Sequence, residues 1–276
     1  MNFTMLAQNS TDVNYVQQAC VSAMSIRHTN PTSKICLITN DKVPSKYKEL
    51  FDAVVEIPWG DSAHKYEWKI HNRFKIIHAC PFKDTVVIDT DMLILNDLSN
   101  WQTYFETHDF WICNNVKTYR NEIANNQFYR KKLNKFKLPN VYYGLHYFKK
   151  SKFAYEFYGL LDIIVNNYND FFNLHNMNLQ NFASMDISSS LATAILDCES
   201  IVTSNSKHAP MFTHMKANIQ NWQGLKDSWQ KEVGTYLTDD AQLYIGNYKQ
   251  NNIFHYTEDD FITNDIIETY EKIIGI

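Results

Sequence analysis

An apolar run, Val86-Val87-Ile88, stops abruptly at Asp89-Thr90-Asp91, and a second apolar stretch begins at once with Met92. No other stretch limits the folds open to this chain as much as residues 83–97. The run is short, β-branched and bounded by polar residues, so it reads as a strand buried on both faces. Two carboxylates then stand at the end of a buried strand, where they are costly to keep charged unless something positive lies between them. A divalent cation meets that need. Carboxylate oxygens suit Mg²⁺ and Mn²⁺, and those ions readily take substrate phosphates as further ligands. In open α/β sheets ligands gather at the carboxyl ends of the strands, where Asp89 and Asp91 fall. The pattern points to a metal–diphosphate site on an α/β fold. The plainer alternative is that the two residues only cap a strand and a turn.

The flanking chain supplies the other strands. Residues 3–7 form an apolar strand, and Gln8-Asn9-Ser10-Thr11 a polar turn with Ser10 or Thr11 as helix N-cap. The helix that follows places Val16, Ala19, Cys20, Ala23 and Met24 on one face. Residues 35–39 give a second strand, Pro44 opens a short helix, and residues 53–57 give a third strand stopped by Pro58. Alternation of this kind predicts a mostly parallel central sheet with helices on both faces. The first turn has no Gly-x-Gly-x-x-Gly, so the dinucleotide fingerprint is absent. Trp59, in the loop of residues 58–65, is a candidate sugar or base contact. The next helix sets Tyr66, Ile70, Phe74 and Ile77 on one face and Lys69 and Arg73 on another. A cation there is what a departing diphosphate requires.

Beyond the motif, residues 98–106 read as a helix and residues 110–113 as a strand. Residues 117–137 carry a basic bias that includes Arg120 and Arg130, with no clean apolar period. They read as an excursion that covers a donor or meets an anionic acceptor, or as a merely solvated segment. A strand over residues 141–148 and a helix over residues 153–165 follow, then an Asn-rich loop over residues 166–181. A helix opens at Asp186, which stands where an N-cap belongs, with Ile187, Leu191, Ala194 and Ile195 inward. Two late strands end in histidine, at His214 and at His255. Residues 218–229 and a C-terminal helix over residues 264–274 read as packing elements. No repeat or linker divides the chain, so a single domain over residues 1–276 is expected.

Composition excludes several classes. The net charge of −4 argues against general nucleic-acid binding. The 5 cysteines show no pairing spacing, which suggests reduced thiols and a cytoplasmic setting. No basic-plus-apolar leader opens the sequence, and no apolar stretch is long enough for a transmembrane segment.

The Asp-x-Asp stretch resembles the motif of nucleotide-sugar glycosyltransferases with the GT-A fold, most of all the family 8 (glycogenin-like) group. There too the motif ends a strand after a basic helix and is followed by a Leu-rich strand and an Asn-Asp-Leu-like turn, here Asn96-Asp97-Leu98. The resemblance implies a nucleotide-sugar-binding half over residues 1–110 and an acceptor-side half over residues 111–276. It implies transfer of a sugar from a nucleotide-diphosphate sugar, with UDP as carrier and retention of configuration, to an acceptor it does not identify. Asp89 and Asp91 would hold Mn²⁺ or Mg²⁺, with His214 or His255 as a third ligand. His214 is preferred for the nearby Lys216, which with Arg73 would face the diphosphate. Gln8, Asn9 and Tyr15 would hold the nucleoside, Tyr15 by stacking, and Asp186 would touch the transferred sugar. The family's Asn-Ser-Gly is replaced by Tyr142-Tyr143-Gly144, its Gln after the helix-start Asp by Ile187, and the glycine between its His and Lys is missing. Two other readings stay open: an Asp-x-Asp phosphatase with Asp89 as nucleophile, and a non-catalytic nucleotide-binding module.

Overall fold

A computed structural model describes residues 1–66, 69–125, 130–174, 184–206, 208–217 and 233–276. The expected alternation is present. Strand β1 (Asn2–Leu6) leads to helix α1 (Tyr15–Thr29), then β2 (Lys34–Ile38), a 3₁₀ turn (Ser45–Leu50) after Pro44, and β3 (Ala53–Val55). A second 3₁₀ stretch (Lys69–Lys75) runs into the short helix α2 (Ile76–Ala79), where one regular helix was expected. Strand β4 (Asp84–Ile88) and strand β5 (Met92–Ile94) bracket the two motif carboxylates. Helix α3 (Ser99–Glu106) and strand β6 (Phe110–Cys113) follow.

Among the described residues the main sheet has the order β3-β2-β1-β4-β7-β6, with β7 spanning Tyr142–Lys149. Strands β3, β2, β1 and β4 are parallel, whereas β7 runs antiparallel to β4 and to β6. The sheet is therefore mixed but mostly parallel, with the motif strand between β1 and β7. Alternate residues of β4 enter different cores: Val86 and Ile88 pack with α1, and Val87 with α2 and helix α5 (Lys152–Asn166). This two-sided burial is why the strand is apolar along its length.

Several local readings need correction. The N-cap of α1 is Asn14, which accepts from the Gln17 amide. Ser10 instead accepts from the Val13 amide and closes the preceding turn. The basic segment is largely irregular where described: Lys117 bridges to Ile123 and Thr213, and helix α4 spans only Lys131–Lys135. Helix α6 (Tyr168–Leu174) occupies part of the expected Asn-rich loop, and the remainder from residue 175 lies outside the described residues. Ser184 occupies the N-cap position of helix α7 (Met185–Ile195) without a side-chain hydrogen bond, and Asp186 lies in the first turn. Ile187 and Leu191 are buried as expected, but Ala194 and Ile195 face solvent. Residues 218–229 also lie outside the described residues. After helix α8 (Glu199–Val202) and strand β8 (Phe212–His214), the chain forms an antiparallel sheet of β9 (Thr235–Leu237), β10 (Leu243–Ile245) and β11 (Tyr248–Lys249). Strand β12 (Ile253–His255) lies between β5 and β8, and helix α9 (Asn264–Ile274) packs on α1.

Candidate functional site

The site grows from the place where β4 ends. Asp89 donates its amide to the Gly144 carbonyl at 3.1 Å. Thr90 is buried and turned inward toward Gln18, at 3.2 Å. The carboxylates on either side of Thr90 stand in the turn that joins β4 to β5, each partly exposed, their side chains 21% and 25% accessible. β12 then brings in a histidine from 164 residues away: its last residue, His255, pairs with Met92, and His255 Nε2 lies 2.8 Å from Asp91 Oδ2. Ligand atoms of Asp89, Asp91 and His255 all fall within 4.8 Å of one another, the metal-competent group found among the described residues. Two carboxylate oxygens and an imidazole nitrogen suit Mn²⁺ or Mg²⁺, Mn²⁺ the better for accepting nitrogen. The residues fit such an ion.

Positive groups already face both carboxylates. Arg73 forms an ion pair with Asp89. Burial works against charge on Arg73, but Asp89 and neighbouring groups hold its guanidinium above the ordinary value. Burial likewise opposes charge on the Asp91–His255 pair, yet their attraction lowers the Asp91 carboxyl and raises the His255 imidazole. One charge of each pair therefore stabilises the other.

Beside these groups lie two adjoining cavities. The larger, about 590 Å³, is lined by Asp91, Tyr15, Lys69, Tyr66, Thr257 and Asp259 among others. The smaller, about 160 Å³, reaches Gln8, Arg73, Asp89 and Asp91. Tyr15, Lys69 and Asp91 line both. Burial, then Asp259 and Asp91, pushes Tyr15 up to about 12, so its phenol stays protonated. Gln8 accepts from Asn72 at 2.7 Å. Asn9 accepts from the Val16 amide through its side-chain oxygen and donates its own amide to Asp41, which ties it to the start of α1. Trp59 is 71% exposed, edge-on to His78, away from the lining of both cavities.

His214 and His255 end neighbouring parallel strands in the same register, with ring centroids 5.2 Å apart. His214 accepts from the Lys216 amide at 3.2 Å through Nδ1, and burial, then His255, keeps its ring neutral. It lies beside the three-residue group and is not a member of it. Lys216 is buried and forms an ion pair with Glu258.

On the other side, Tyr143, next to Gly144 on β7, carries the link to Asp186. Asp186 Oδ1 accepts from the Tyr143 amide at 2.8 Å and Oδ2 from Arg130 at 2.6 Å, while the Tyr143 hydroxyl donates to the Arg73 carbonyl at 3.1 Å. Sequence reasoning placed Arg130 in a basic segment without a partner and assigned Tyr143 no role. Asp259 was missed as well, although the acidic run after His255 could have signalled it. Burial and Asp91 raise the Asp259 carboxyl.

No family model and no curated protein sequence matches the chain. Solved structures do. The galactosyltransferase LgtC in complex with donor and acceptor sugar analogues superposes with a TM-score of 0.53 at 11% identity, covering 100% of this chain and 95% of that one. An active-site mutant of LgtC gives 0.52 at 11% identity, again covering 100% and 95%. The apo form of mouse xyloside xylosyltransferase 1 gives 0.53 at 9% identity, covering 95% of this chain and 100% of that one. At such identities the likeness is one of fold. The chain has the GT-A architecture of these glycosyltransferases.

Proposed function

We propose that this GT-A chain is a metal-dependent glycosyltransferase that moves a sugar from a nucleotide-diphosphate sugar, with UDP as the carrier, to an acceptor with retention of configuration. One observation carries the reading: Asp89, Asp91 and His255 converge at the carboxyl edge of the sheet, where Asp91 lines a cleft of about 590 Å³ and Asp89 and Asp91 line the smaller cavity beside it. Asp89, Asp91 and His255 would hold Mn²⁺ or Mg²⁺. The bound ion would supply Lewis acidity toward the departing diphosphate.

The chain's own residues do the rest. Arg73 is half-buried behind Asp89 and lines the smaller cavity, so it can turn part of its charge toward the diphosphate. Lys216 can do the same once Glu258 releases it. Tyr15 offers a ring for stacking and Gln8 a carboxamide at the nucleoside end. Asp186, anchored on β7 next to Gly144, accepts hydroxyls of the donor sugar.

The binding-module reading has one observation in its favour, the closure of Lys216 on Glu258. It predicts nucleotide binding without turnover. The phosphatase reading needs the motif on the first strand, whereas here the motif ends the fourth in chain order.

The test is thermal unfolding with Mn²⁺ and UDP, GDP, CDP or ADP, on the native chain and on Asp89→Asn/Asp91→Asn. A ligand at 100 times its Kd raises stability by about 2.7 kcal/mol. We expect a metal-dependent rise with UDP that the double variant loses. No rise with any nucleotide in the native chain would reject the donor site. A rise with UDP but no released UDP from UDP-sugars under turnover conditions would favour the binding module.

A further inference from the structure

We propose that Arg130 is a positioning residue for the donor sugar, acting through Asp186. The inference rests on the glycosyltransferase reading above and names a determinant within it.

Arg130 follows residues 126–129, which lie outside the described residues, and belongs to the basic excursion of residues 117–137. Yet it is the guanidinium most firmly seated near the site. Its side chain is only 12% exposed. Nη1 donates to Asp186 Oδ2 at 2.6 Å and Nη2 to the Val141 carbonyl at 2.6 Å. The guanidinium also lies over the Tyr142 ring, 4.1 Å from its centroid. One side chain thus joins the excursion to the start of β7 and to the first turn of α7.

The consequence falls on Asp186. A carboxylate held at one oxygen by the Tyr143 amide and at the other by Arg130 has a fixed plane. Each oxygen keeps a further lone pair, so the group can accept two neighbouring hydroxyls in a set direction. Without Arg130, the Tyr143 amide is the one hydrogen-bond donor among the described residues that still holds the carboxylate, which can then turn about its own bond. Arg130 also stands within electrostatic reach of His214. Arg130 also balances the Asp186 charge through their ion pair. The two residues lie 56 positions apart in sequence.

The experiment compares UDP with UDP-glucose and UDP-galactose, with Mn²⁺ present, by calorimetric titration of the native chain, Arg130→Ala, Arg130→Lys, Asp186→Asn and the double variant Arg130→Ala/Asp186→Asn. In the native chain at least one hexose should add affinity over UDP alone. Arg130→Ala should leave UDP binding unchanged and weaken the hexose increment by about tenfold to a hundredfold. Arg130→Lys should restore part of it, because the ion pair can re-form without the Val141 bond. The double variant should lose no more than the worse single variant, since both act through one carboxylate. If Arg130→Ala misfolds, Arg130→Lys decides by its partial loss. Full retention of the increment in Arg130→Ala, equal loss of UDP and hexose affinity, additive losses, or no increment for either hexose in the native chain would each overturn the assignment. No UDP binding by the native chain would instead overturn the transferase reading itself.

Discussion

A β-carbon built on Gly144 would lie 2.7 Å from Asp89 Oδ2 and 2.9 Å from the Met92 terminal methyl. The methyl can move aside. The carboxylate cannot do so freely, because Arg73 holds its other oxygen. Glycine at this position lets β7 approach the first motif carboxylate closely. Gly144→Ala should therefore cost about 1–3 kcal/mol of unfolding free energy through overpacking, read as a lowered unfolding midpoint. It should weaken Mn²⁺–UDP binding by more than that loss explains, because Asp89 must rotate away from Asp91 and His255. Native Mn²⁺–UDP affinity in Gly144→Ala would show that the close approach is incidental. The sequence marked this glycine as the survivor of a family pattern, and the steric reason for it became visible only once β7 was paired with β4.

Elements explain what was legible and what was not. The motif, its two bracketing strands and the β-α-β-α-β opening were readable because each is local: apolar runs, a polar turn and a proline stop state their own structure. The start of α1 was misplaced by a few residues because Ser10, Thr11 and Asn14 are all competent caps, and only the backbone course selects Asn14. The sequence favoured His214 over His255 for its nearby Lys216, whereas the structure brings His255 to Asp91. Both end three-residue strands, and which histidine meets Asp91 depends on β12 being antiparallel to β5, a pairing across some 160 residues with no local signature. The packing makes the two separable. His255→Ala removes a donor atom and the positive partner of Asp91, so it should abolish Mn²⁺-dependent stabilisation by UDP. His214→Ala removes a neutral ring that holds the Lys216 amide, and should lower the midpoint while keeping most of that stabilisation. Calorimetric titration with Mn²⁺ and UDP on both variants reads the difference, and the opposite ranking would move the third ligand to β8.

At the scale of the whole molecule the histidines add up to an acid sensitivity. His146 is fully buried and balanced as a neutral ring, with Nδ1 2.7 Å from the Tyr143 carbonyl and Nε2 2.7 Å from the Tyr158 hydroxyl. Burial pushes it down to about 3. His71, His78 and His214 are also lowered, each by burial first. A histidine depressed in the folded state takes up its proton only on unfolding, once the pH is below the ordinary value of about 6.5. Stability then falls with acid, by about 1.4 kcal/mol per pH unit for each group that stays neutral when folded. His255 is raised instead, so its contribution is already complete below the ordinary value and adds no slope there. Hydrogen-bonded carboxylates such as Asp52 and Asp61 are lowered, and their share is lost only at still lower pH. Between about pH 6.5 and about pH 4.5 the buried neutral rings should therefore dominate. The metal-free chain, in EDTA, should show a denaturation midpoint that drops steadily across this interval. His146→Gln keeps a donor and an acceptor at the same place without the titration. It should start lower at pH 7 and then fall less steeply. Parallel curves for the two proteins, or a flat one for the native chain, would mean that His146 is protonated in the fold and that the Tyr143–Tyr158 bridge holds a charge.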